Sequence, residues 1–320
     1  MAETERNDGM AKAARILRVA GRILALLSLA FVVYRLWRLR PDFSVPGDAL
    51  GWLPVLGAVY ALSVSVSFLP WLLALRVTSG KRMPMGSVAV LSVRANLYKY
   101  LPGNVLQYVG RNELAVTQDI RHGEVAAATL CDMLAQLFAG CALGLILGAE
   151  SLGRISALAG SQAPLLLLGV PLLVLTVFAV FFRKKRRDFL QAVKTRLTAS
   201  NVRLAGLAIA FYLGTTLLTA ALFVGTLTLF APALPWERMP AFGGAFIVSW
   251  VGGYLVPGVP GGIGVREMLM TSLAPRGQED AVLAAIVVFR AVSIFGDVLA
   301  FFVVRAVAAC AARRKSDREG

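Results

Sequence analysis

The sequence predicts an all-α polytopic membrane protein, with about six full transmembrane helices and two re-entrant helical hairpins arranged as an inverted repeat. Three observations lead there. Of the 320 residues 58% are hydrophobic, above the roughly 45–50% of soluble domains, and the apolar residues fall in blocks long enough to cross a bilayer. Basic residues cluster beside those blocks instead of spreading along the chain. Finally, two stretches, "YLPGNVLQYVGRNELA" at 100–115 and "YLVPGVPGGIGVREML" at 254–269, place Pro-Gly, Arg and Glu between apolar segments with no polar loop around them.

The elements follow in order. Residues 1–18 form a basic N-terminus carrying Arg6, Lys12, Arg15 and Arg18, and the first span covers 19–39. No small-residue cleavage site follows "ILALLSLAFVVY", so this block is expected to be a retained span and not a signal peptide. Further spans are expected at 50–75, 124–149, 163–182, 204–230 and 281–305, and a basic tail at 306–320. Between the second and third spans lies a broken segment at 85–116, and between the fifth and sixth another at 241–273. Their arms are too short to span. Arms of this length suit re-entrant helices, whose freed backbone groups must be buried in protein or line a wet cavity.

The order span, span, hairpin, span occurs once in 19–149 and again in 163–305. Pro102-Gly103 precedes Arg111 by the same interval as Pro257-Gly258 precedes Arg266. With "RKKRR" at 183–187 and the C-terminus placed in the cytoplasm, the span count closes only if both hairpins are re-entrant and enter from opposite faces. Both termini are then cytoplasmic and the protein is multi-pass in the inner (plasma) membrane. Arg35, Arg38 and Arg40 fall on the outer side and run against this scheme.

The formal charge of +15 would suit a nucleic-acid binder. Its clustering beside spans fits the cytoplasmic side and anionic lipid better, so no nucleic-acid partner is expected. Cys131 and Cys141 are ten residues apart on one helix, about 15 Å along its axis and too far for a disulfide. Cys310 sits near the C-terminus, and His122 lies in "DIRHGE", read as a solvated cytoplasmic loop. No pattern resembles a metal, cofactor or catalytic-nucleophile site, so neither a cofactor nor an enzyme activity is expected.

Chemistry concentrates at the hairpins. Pro removes a backbone donor, Gly permits positive φ, and the helix after each break presents free N–H groups to an anion. Turn residues are Pro102 and Gly103 in the first hairpin, and Pro257, Gly258, Gly261, Gly262 and Gly264 in the second. Arg111 and Arg266 could grip phosphate oxygens, with Asn104, Gln107 and Lys99 as further headgroup ligands. Glu113 and Glu267 could hold those arginines or a cationic headgroup; alternatively Arg111–Glu113 and Arg266–Glu267 pair only to satisfy buried hairpins. Ser92, Asn96 and Lys99 share one helix face, which either lines a polar cavity or lets Lys99 snorkel to headgroups. Within the spans, Asp132, Arg290 and Asp297 are proton sites or members of structural ion pairs.

"KYLPGNVLQYVGRNELA" and "VPGVPGGIGVREMLM" closely resemble the paired signatures of the lysylphosphatidylglycerol synthase transmembrane-domain family, described as flippase-like membrane proteins. The resemblance runs from the first span to the last. It rests on Pro102, Gly103, Arg111 and Glu113, with Pro257, Gly258, Gly261, Gly262, Gly264, Arg266 and Glu267. It implies a module that moves a lipid between leaflets. Because the chain ends at Gly320, just after the last span, the soluble aminoacyltransferase domain of the synthases is not expected. The cargo stays open among aminoacyl-, glyco- and polyprenyl-phosphate lipids. The expected partners are anionic or phosphate-bearing membrane lipids, with a homodimer or a separate lipid-modifying transferase also possible. Two other readings are a membrane-embedded enzyme acting on a lipid phosphate and an accessory subunit of such a transferase.

Overall fold

The computed structural model describes residues 34, 37, 47, 49–100, 110–151, 153, 198–255, 262 and 264–319. Among these the regular structure is entirely helical. The helices are α1 (Trp52–Val66), α2 (Phe68–Ser79), α3 (Met85–Leu97), α4 (Glu113–Thr117), α5 (His122–Leu147), α6 (Ala199–Phe230), α7 (Met239–Leu255), α8 (Val265–Leu273) and α9 (Glu279–Glu319). A 3-10 turn, Tyr98–Tyr100, extends α3, and another, Trp236–Arg238, leads into α7.

Four segments are long and apolar enough to cross a membrane: Trp52–Ser79, His122–Leu147, Ala199–Phe230 and Glu279–Ala311. They match the second, third, fifth and sixth spans expected from the sequence. The 32 residues of α6 give it a length of about 48 Å against a hydrocarbon core of about 30 Å. Large apolar side chains face outward, with Phe138 and Ile146 58% and 72% exposed, while the carboxylates Asp132 and Asp297 are buried at 4% and 1% exposed. Outward-facing apolar side chains on helices of this length suit a lipid solvent and fit a membrane protein. The first expected span apart from Tyr34 and Trp37, the fourth expected span, "RKKRR", and the turn residues Pro102, Gly103, Asn104, Gln107, Pro257, Gly258 and Gly261 lie outside the described residues.

Three boundaries differ from the sequence reading. The second span is two helices broken at Ser67. Pro70 explains the break, because it has no N–H for the Val66 carbonyl and its ring crowds that turn. His122 does not lie in a loop; it opens α5, with its Nδ1 3.1 Å from Asn112 Oδ1. The last helix runs past 305 to Glu319, so most of the basic tail continues α9.

Helix packing relies on small residues. Gly140, Gly144 and Gly148 recur every fourth residue along one side of α5 and its C-cap and meet Val251, Trp250 and Val248 of α7. Gly244 on α7 comes closest: a Cβ there would lie 2.1 Å from the Leu147 carbonyl oxygen. Stripes of this kind let membrane helices approach at backbone distance. Gly244→Ala is therefore expected to destabilise the fold by about 1–3 kcal/mol, the usual range for overpacking. A lowered thermal midpoint of the detergent-solubilised protein would register it, while Gly206→Ala, inside α6 with open space around it, should hold or slightly raise the midpoint through its better helix propensity.

The core has two main parts. One gathers Phe223, Phe242, Ile247, Met270, Leu283 and Phe289 between α6, α7, α8 and α9. Its centre is an aromatic group in which Phe223 stacks on Phe246 at 4.7 Å and Phe289 meets both rings edge-on. The other joins Trp71, Leu75, Val88, Leu114 and Val125 between α2, α3, α4 and α5.

Around each broken stretch the flanking helices run antiparallel. Arg94 pairs with Glu113, and Gly110 packs on Tyr98 and Ala95. In the second, Gly253 faces Arg266, Gly252 faces Leu269, and Ser249 Oγ lies 3.9 Å from Met270 Sδ. In both places two helical arms pack side by side, and the residues that connect them lie outside the described set. With 17 residues in α7 and nine in α8, neither arm of the second is long enough to count among the crossing helices.

Candidate functional site: a charged cavity between the two halves

A cavity of about 270 Å³ opens at the centre of the bundle, where α1, α3, α5, α6, α7, α8 and α9 all contribute lining. Its polar wall contains Lys99, Arg111, Asp132, Arg266 and Arg290, with Asn96, Gln136 and a set of Ser and Thr residues. Helix periodicity accounts for much of this. Ser92, Asn96 and Lys99 follow one face of α3 and its terminal turn, and Thr215 and Thr219 one face of α6. Ser63 and Ser67 do the same at the α1 break.

Three clusters organise the charges. Arg111 donates to Asp132 at 2.6 Å, and Tyr212 donates its hydroxyl to the other Asp132 oxygen. The Arg111 guanidinium also sits 4.7 Å from the Trp71 ring centre, a cation–π distance. Asp297 on α9 accepts from Asn96 at 2.7 Å and from the Tyr100 hydroxyl, and pairs with Lys99 at 2.6 Å. This single carboxylate therefore ties the first hairpin to the last helix. Glu267 on α8 accepts from Arg290 on α9 and from the Gly264 N–H at 2.6 Å.

The first and third clusters occupy equivalent places. Each joins a hairpin's return arm to the next crossing helix, Arg111 with Asp132 and Glu267 with Arg290, with the charge signs exchanged.

Arg266 differs from the rest. Among the described residues no carboxylate pairs with it, and its Nε is buried without a hydrogen-bond partner. Its guanidinium lies 5.7 Å from the Trp250 ring centre. Two glycines leave room for it: a Cβ on Gly253 would lie 2.5 Å from its Cγ, and one on Gly262 2.8 Å from its Nε. Gly262 and Gly264 have φ of +70° and +84°, which side-chain-bearing residues rarely adopt.

Several residues thus sit otherwise than the sequence suggested. Glu113 pairs with Arg94 at a half-exposed position away from the cavity, not with Arg111. Glu267 follows Arg266 in sequence but faces Arg290, since adjacent helical residues point about 100° apart. Asp297 meets Lys99 and neither Arg290 nor a hairpin arginine. Tyr60, Tyr100, Tyr212 and Trp250 line the cavity and were not singled out beforehand. Among the described residues no three His, Cys, Asp or Glu side chains gather as metal ligands would.

No protein-family model matches the chain, and no curated protein matches it significantly.

Proposed function

We propose that the protein is a lipid translocase that passes a phosphate-bearing headgroup through this cavity while the acyl chains stay in the bilayer. The observation that carries the reading is the charge inventory. Among the described residues four basic side chains at the cavity face three carboxylates, and Arg266 is the cation left without one. An uncompensated guanidinium inside a membrane bundle is expensive unless an anion visits it. Phosphate suits it, since a guanidinium offers paired N–H donors to two oxygens.

In this reading the two hairpins are re-entrant, enter from opposite faces of the inner membrane and belong to inverted repeats. Both termini are cytoplasmic. The antiparallel hairpin contacts, the short arms and the sign-exchanged pairs support that arrangement, as does the resemblance of the hairpin motifs to the flippase-like family. Transport would exchange the three clusters between two packings of the halves, a familiar plan where broken helices meet at mid-membrane.

Reconstitution tests this. Vesicles carrying tail-labelled fluorescent phosphatidylglycerol are treated with dithionite, which bleaches only the outer leaflet. Protein-containing vesicles should lose the protected inner-leaflet signal, and protein-free vesicles should retain it. Retention in both would count against translocation.

A further inference from the structure

Building on the translocase reading, we propose that the cavity selects a net-anionic phosphodiester whose headgroup carries hydroxyls, and disfavours aminoacylated or other amine-bearing headgroups. Charge gives the first half. Each carboxylate at the site is already engaged: Asp132 by Arg111 and Tyr212, Asp297 by Lys99, Asn96 and Tyr100, and Glu267 by Arg290 and the Gly264 N–H. A headgroup ammonium would find no unpaired carboxylate among the described residues that line the cavity, and it would meet the positive charge of Arg266. An anion meets the reverse. Of three buried guanidinium nitrogens without an acceptor, Nε of Arg94 lies away from the cavity, and the other two, Nε of Arg266 and Nη2 of Arg290, belong to side chains that line it. A phosphodiester offers the acceptor oxygens that these donors lack.

The hydroxyl-bearing wall gives the second half. Thr219 donates to the Thr215 carbonyl at 2.7 Å, Ser67 to the Val64 carbonyl at 2.7 Å, and Ser293 to the Arg290 carbonyl at 2.9 Å. Thr215 donates to Phe211 at 3.1 Å in the same way. These four hydroxyls direct their one proton to their own helix and so present lone pairs to a ligand, while Ser63, Ser92 and Thr216 on the same wall make no such bond. The cavity therefore offers guanidinium donors for a phosphate beside neutral acceptors for hydroxyl donors. Glycerol and sugar headgroups bring hydroxyl donors without adding positive charge.

A thermal-shift titration of the purified full chain in detergent tests this with four probes: dihexanoyl phosphatidylglycerol, dihexanoyl phosphatidylethanolamine, a short-chain lysyl-phosphatidylglycerol, and chain-free glycerophosphoglycerol. Ligand binding to the folded state raises the midpoint with concentration. The glycerol lipid is expected to bind about tenfold or more tighter than either amine-bearing lipid. Arg266→Gln should abolish that preference, and Arg266→Lys, which keeps the charge, should retain it at lower affinity. Equal stabilisation by the three lipids, or tighter binding of an amine-bearing one, would overturn the headgroup assignment while leaving translocation standing. Stabilisation as strong by glycerophosphoglycerol would keep the ligand class but move its source to a soluble molecule, against the translocase reading. No stabilisation by any probe would overturn the assignment.

Discussion

Asp297→Ala is expected to destabilise the folded protein by about 3–5 kcal/mol, the range for removing one partner of a buried ion pair. The side chain of Asp297 is fully buried and serves Lys99, Asn96 and Tyr100 together. Alanine would leave the Lys99 ammonium without its counter-charge and strip the amide and phenol of their acceptor. These three partners belong to α3 and its terminal turn, whereas Asp297 belongs to α9, so the change should also loosen the first hairpin from the last helix. A strongly lowered thermal midpoint and a poor yield of monodisperse protein would register this. The double change Lys99→Met, Asp297→Leu should recover much of the loss, because neither member then remains as an unpaired charge. If Asp297→Ala behaves like wild type, the cluster does not hold the hairpin.

Arg266→Gln is expected to do the opposite. No described carboxylate pairs with Arg266, so its removal leaves no buried anion behind and the thermal midpoint should stay close to that of wild type. The rate of lipid movement should fall by about 100-fold, as two charge-assisted hydrogen bonds of about 1.5 kcal/mol each would imply. Dithionite traces on matched vesicles would measure it. Arg111→Gln is a poorer probe, since it exposes Asp132, 4% accessible, to the loss of its cation. Two arginines at related motif positions are thus predicted to separate function from stability.

What could be read from the sequence followed from periodicity and from helix breakers. Apolar blocks located the four helices long enough to cross a membrane, and the short apolar arms located α3, α7 and α8 on either side of Pro-Gly pairs that lie outside the described residues. The i, i+4, i+7 spacing put Ser92, Asn96 and Lys99 on one face, and that face lines the cavity. Ion-pair partners were not readable. Asp132 lies 21 residues from Arg111, and Asp297 is 201 residues from Asn96, so only the packing of separate helices decides who meets whom. Adjacent Arg266 and Glu267 suggested a pair, yet the helix turns them to different neighbours.

The aromatic lining was hidden for another reason. Tyr212 or Trp250 in an apolar helix looks the same whether it faces lipid or a polar cavity. A usable signal was present in "GTTLLTA", where Thr215 and Thr219 stand one turn apart on a crossing helix, a spacing that marks a polar stripe. The glycine ladder at 140, 144 and 148 was legible in the same way.

The central claim is that Arg266 and its cavity hold the headgroup of a membrane lipid. The lipids that stay with the purified protein test it most directly, measured by mass spectrometry for wild type and Arg266→Gln against the bulk membrane. The account predicts enrichment of one phosphate-bearing, hydroxylated lipid on wild type and its loss from the variant. Two profiles that match each other and the bulk membrane would contradict it.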